Sequence, residues 1–126
     1  MDKIHRYARK YYPLEACGIL VGRKVEREKI VEKVYATRNM LESGFEYKID
    51  PSEQLKIFEK AEIEGFEVLG FYHSHPFSEP FWSEIDEEGS KFWIGYSYLI
   101  VSAKSGSFDS YITKEDGVEK EEVKIL

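Results

Sequence analysis

Residues 66–86 read FEVLGFYHSHPFSEPFWSEID, and this stretch decides how the rest of the chain is read. FEVLGFYHSH (66–75) is mostly apolar and short, which predicts an interior strand. Side chains two apart on a strand share a face, so His73 and His75 can present both imidazoles to one ion. They stand where the strand opens into loop, the usual place for ligand sites. Asp86 follows eleven residues after His75, on a segment able to fold back over the strand end. Two imidazoles and one carboxylate make the three-ligand set typical of catalytic zinc, with a fourth position left for water. Structural readings stand beside this one. The histidines can be packed and hydrogen-bonded at a strand end, and Ser83 to Asp86 is also a serviceable helix start, with Ser83 as N-cap. Glu79 can be a loop carboxylate in water or a ligand.

Outward from this stretch, the clearest helix signal is DPSEQLKIFEKAEIEG (50–65). Asp50 suits the N-cap, Pro51 the first helical position, and Glu53 completes a capping box. Leu55, Phe58 and Ala61 fall on one face, and Gly65 marks the stop. KIHRYARKYY (3–12) reads as a short helix ending before Pro13. ACGILVG (16–22) reads as a buried strand, and 25–39 as a second, with a turn near Arg23–Lys24. Residues 40–49 read as a loop with a short extended piece at FEYKI, and SEIDEEGSKFW begins like a helix. Strands follow at 97–103, 107–114 and 118–126, with turns at Ser105–Gly106 and Asp116–Gly117. The class is α/β: a single mixed central sheet flanked by helices, in one domain over 1–126.

Composition narrows the function. The chain has 126 residues, 24 acidic against 18 basic, and a net charge of −6. An acidic balance argues against a nucleic-acid partner, whose footprint would be basic. No apolar run reaches the ~18 residues that span a bilayer, and the N-terminus lacks the apolar core of a signal peptide. Cys17 is the only cysteine, which rules out an intramolecular disulfide and a thiolate-rich zinc finger, and fits a cytoplasmic location. In an apolar strand it reads as a small hydrophobe. The Glu/Lys bias, with one Asn and one Gln, points to a heat-loving source.

H-x-H, seven residues, then S-x-x-D resembles the motif of the JAMM (MPN+, JAB) zinc metalloproteases. The resemblance extends upstream, where PLEACGILVG offers Glu15 just before the first core strand. IDPSEQLKIFEKAEIEGFEVLGFYHSHP matches the family's helix-then-strand order. It implies one Zn2+ per chain held by His73, His75 and Asp86, with Glu15 as general acid/base and Ser83 stabilising the oxyanion. It also implies the JAB/MPN, cytidine-deaminase-like fold and the minimal prokaryotic or archaeal branch. The implied activity is an isopeptidase that cuts a ubiquitin-like modifier from substrate lysines. Alternatives are a linear-fusion peptidase acting on a sulfur-carrier protein and a non-catalytic MPN scaffold. A homodimer is left open. The usual proline before the motif serine is Trp82 here, a ring that can narrow or line a groove; the neighbouring aromatics can equally be core. A cupin reading fails: Glu67 and Asp86 stand where its glycines belong, and no third histidine follows.

Overall fold

In the computed structural model, which describes residues 1–125, the histidine strand is central. The elements in chain order are α1 (Asp2–Tyr11), β1 (Cys17–Val25), β2 (Glu28–Thr37), α2 (Pro51–Ile63), β3 (Glu67–His75), α3 (Glu84–Gly89), β4 (Ser97–Ser102), β5 (Phe108–Lys114) and β6 (Gly117–Glu121). They build one six-stranded sheet in the order β2-β1-β3-β4-β5-β6. All neighbours are antiparallel except β3 and β4, which run parallel. A parallel pair needs a crossover, and residues 76–96 with α3 supply it. The expected α/β class with a single mixed sheet is therefore what forms. None of the helices among the described residues is long and apolar enough to cross a membrane.

Both faces of the central strands are covered, which is why β1, β3 and β4 read as near-continuous apolar runs. On one face Cys17, Ile19 and Val21 of β1 and Phe71 of β3 pack with Ile57 and Ala61 of α2. On the other, Leu20, Tyr72, Leu99 and Val101 pack with Ile4 and Ala8 of α1. Tyr72 pairs across the strands with Gly18. A Cβ at Gly18 would meet the Tyr72 ring at 2.3 Å and the Tyr35 carbonyl at 2.1 Å, so only glycine fits there.

Several boundaries depart from the sequence reading. The β1–β2 turn lies at Glu26–Arg27, beyond the expected Arg23–Lys24, with Glu26 at φ 57°. Backbone ladder bonds take no account of side-chain polarity, so β1 runs on through exposed Arg23 and Lys24 to Val25. Asp50 caps α2 through the Ser52 N–H and hydroxyl, both at 2.9 Å, rather than through a Glu53 box. The buried stripe of α2 is Ile57 and Ala61, an i, i+4 pair; Leu55, expected inside, is 59% exposed. Gly65 stops the helix as expected, at φ 80°. The FEYKI piece joins no ladder and stays irregular. The last strand ends at Glu121, short of the expected 126, and Leu126 lies outside the described residues.

Candidate metal centre

Strand register aims the first three side chains of the site. Cys17 pairs with His73 in the β1–β3 ladder. The bond from Ser74 N–H to the Ala16 carbonyl, 2.9 Å, carries that register one residue further. Glu15 therefore falls opposite His75, and Glu15, Cys17, His73 and His75 share the face covered by α2 and α3. Asp86 reaches the same place from the crossover. Its N–H donates to Ser83 Oγ and its Oδ2 accepts the Ser83 N–H, both at 3.0 Å, so the expected capping box forms. That box ties the Asp86 carboxylate to the helix start and leaves Oδ1 facing the strand.

One donor atom from each of His73, His75 and Asp86 lies within 4.8 Å of the others. Asp86 Oδ1 is 3.1 Å from His73 Nε2, and Oδ2 is 3.9 Å from His75 Nε2. His73 is fully buried, yet neither of its ring nitrogens is hydrogen-bonded; the Asp86 separation is short but not aligned for a bond. A buried, unpaired ring nitrogen is costly unless something else satisfies it. Three donors at this spacing fit a small divalent cation, whose bonds to N and O measure about 2.0–2.2 Å.

The surroundings prepare the donors. His75 Nδ1 lies 3.3 Å from the Glu79 carbonyl and 3.4 Å from Ser78 Oγ. A carbonyl can only accept, so Nδ1 carries the proton and Nε2 keeps its lone pair turned to the site. Burial, then the neighbouring His73, holds the His75 pKa below its ordinary value, which favours the neutral ligand form. Asp86 is pushed up by burial, but the nearby His73 imidazole and the Ser83 N–H that its carboxylate accepts outweigh that, and its pKa is lowered. Glu15 is 4% exposed, and burial raises it to about 7, against the partial relief of His73. Cys17 is pushed up to about 11 by burial and stays a thiol, as the sequence reading had it.

Glu79, which the sequence left as loop carboxylate or ligand, accepts the Ser105 hydroxyl at 2.8 Å and stands outside the three-donor cluster. Trp82 turns onto the sheet: its ring is 5.5 Å from Tyr98 and 5.4 Å from Tyr111, and its N–H donates to Glu87. It anchors the crossover where the family usually has proline. Of the neighbouring aromatics, Phe71 and Tyr72 are core, whereas Phe77, Phe81 and Phe92 are exposed. One contributor went unread in the sequence. Tyr47, from the loop before α2, stacks on His73 with centroids 4.7 Å apart and 25° between planes. Its hydroxyl is pushed well above the ordinary phenol range by burial, so it stays neutral. No periodicity marks a loop residue of this kind.

A desampylase of Pyrococcus furiosus is 42% identical over 113 residues, covering 90% of this chain and 76% of that protein. A desampylase of Haloferax volcanii is 41% identical over 91 residues, covering 71% of this chain but only 63% of its own length. A solution structure of a Desulfitobacterium hafniense protein superposes with a TM-score of 0.87 at 35% identity, covering 97% of this chain and 85% of the other. Residues 1–112 match the family described as prokaryotic homologs of the JAB domain. With the H-x-H strand, the S-x-x-D helix start and Glu15 gathered on one sheet face, the chain belongs to that family of JAB-domain proteins.

Proposed function

We propose that this chain is a zinc-dependent isopeptidase, with residues 1–126 acting as one catalytic domain. It hydrolyses the bond between the C-terminal glycine of a ubiquitin-like modifier and a substrate lysine. The observation that carries the reading is the fully buried His73 with both ring nitrogens unpaired, next to His75 and Asp86 and sharing a face with Glu15. His73 Nε2, His75 Nε2 and Asp86 would hold the ion. Zinc bound there supplies Lewis-acid polarisation of a water and of the scissile carbonyl. The Glu15 carboxylate takes a proton from the attacking water and delivers it to the departing lysine Nζ. Burial raises Glu15 to about 7 in the metal-free site, and a cation beside it would favour the ionised form that accepts the proton. Ser83 Oγ accepts the Asp86 N–H, so its own O–H remains to donate to the carbonyl oxygen as charge builds there. The two desampylases support a ubiquitin-like modifier on the acyl side. The single, buried Cys17 suits a reducing cytoplasm.

The test is incubation of zinc-loaded protein with a lysine-linked and a linearly fused modifier. Release from lysine is the expected result. Cleavage of the linear fusion alone would replace this reading with the sulfur-carrier peptidase, and cleavage of neither with a scaffold.

A further inference from the structure

Glu15 stands just outside β1, so the sheet ladder does not hold its own peptide groups. They are held from the loop that follows β2. The Glu15 N–H donates to the Ser43 carbonyl at 2.8 Å, and the Glu15 carbonyl accepts Asn39 Nδ2 at 3.2 Å. Asn39 is 7% exposed and uses its whole amide. Its two Nδ2 hydrogens are shared among the carbonyls of Glu15, Ser43 (3.2 Å) and Glu46 (3.0 Å), while Oδ1 accepts the N–H groups of Leu41 (3.0 Å) and Lys48 (3.2 Å). One side chain thus fixes the loop on itself and the loop on Glu15. The same loop carries Tyr47 onto His73. Among the described residues no hydrogen bond restrains the Glu15 carboxylate, so its aim follows its backbone.

We propose that Asn39 is the positioning residue for Glu15, locking the loop 39–48 against the start of β1 so that the carboxylate addresses the metal centre. This rests on the reading of Glu15 as the proton carrier. The chemistry selects asparagine: only an amide of this length offers donors to three carbonyls and an acceptor to two N–H groups at once. Aspartate keeps the acceptor but turns a negative charge on the three carbonyls. Alanine leaves four of the five backbone groups without a partner, and only the Ser43 carbonyl keeps one, the Glu15 N–H.

Asn39→Ala and Asn39→Asp are compared in the full chain with Val21→Ala, a core truncation on β1 that leaves the loop alone. Far below the unfolding midpoint, the zinc-loaded Asn39 variants lose roughly 10- to 100-fold in kcat, the scale of a small misplacement of a catalytic group. KM and zinc stoichiometry stay unchanged, and Val21→Ala keeps its kcat. In the metal-free variants the Glu15 and Lys48 amides exchange at least about tenfold faster, while the Ser74 amide keeps its protection. If Asn39→Ala fails to fold, Asn39→Asp carries the test; failure of both makes Asn39 structural and overturns the proposal. So does a folded variant with native kcat and native Glu15 protection, or an equal kcat loss in Val21→Ala. A wild-type protein that cleaves nothing, with the exchange pattern as expected, sinks the isopeptidase reading alone.

Discussion

Glu15 and Asp86 are both buried carboxylates of one site, yet their surroundings drive them in opposite directions. At the start of β1 Glu15 is buried with no hydrogen bond to its carboxylate among the described residues, and that burial lifts it to about 7. At the start of α3 Asp86 suffers the same burial, but the nearby His73 and the Ser83 N–H donated to its carboxylate favour its charged form and bring it below its ordinary value. Side-chain type does not separate them; donors within reach do. The difference divides labour, since a carboxylate that ionises easily suits a cation and one poised near neutrality suits proton transfer.

The comparison breaks most completely if the ligand side is wrong. His73→Ala or Asp86→Ala should lose zinc and cleavage together, read by metal analysis beside an activity assay; retained zinc at one per chain would remove Asp86 from the ligand role. On the other side, Glu15→Gln should keep zinc while cleavage falls about 10²- to 10⁴-fold, the worth of a positioned acid/base. Ser83→Ala sharpens the picture at the α3 end. Loss of an oxyanion donor costs about 3–4 kcal/mol in rate, whereas loss of an N-cap costs about 1 kcal/mol in stability. A rate loss of about 10²- to 10³-fold with a small shift in unfolding midpoint is expected; a stability loss alone would leave Ser83 as a cap.

The last effect is in stability against pH, measured by urea unfolding of metal-free protein. Glu15 has a raised folded pKa, so its protonated form is favoured in the fold. Its contribution is full below 4.5 and disappears as pH rises through about 7. The displacement corresponds to about 3 kcal/mol. His75, with a lowered folded pKa, works the other way, contributing above 6.5 and losing that as pH falls. Comparison with Glu15→Gln cancels His75, and wild type should lose stability relative to that variant as pH rises from 4.5 to about 7. A difference flat in pH would mean that Glu15 is not desolvated.

Much of the fold was legible because local signals agreed. The strand 66–75, the Asp50–Pro51 helix start, Gly65 and the Ser83–Asp86 box each depend on residues close in the chain. Where neighbours agreed less, tertiary packing overruled: Leu55 left the buried stripe because Ile57 and Ala61 face the sheet, and β1 lengthened because β2 was there to pair with it. FEYKI became an irregular loop bound through Asn39 rather than a ladder.

The site divides along the same line. His73 and His75 on one face, with Asp86 a helix start away, follow from the period of a strand and the geometry of a cap, both short-range. That Glu15 belongs with them needed the family resemblance, since 58 positions separate it from His73. No spacing rule reaches that far; the antiparallel register of β1 on β3 does. The stacking of Tyr47 on His73 and the hold of Asn39 on Glu15 were decided by tertiary structure alone. Both lie in an aperiodic loop, whose contacts depend on where the sheet places its neighbours and not on any residue beside them in the chain.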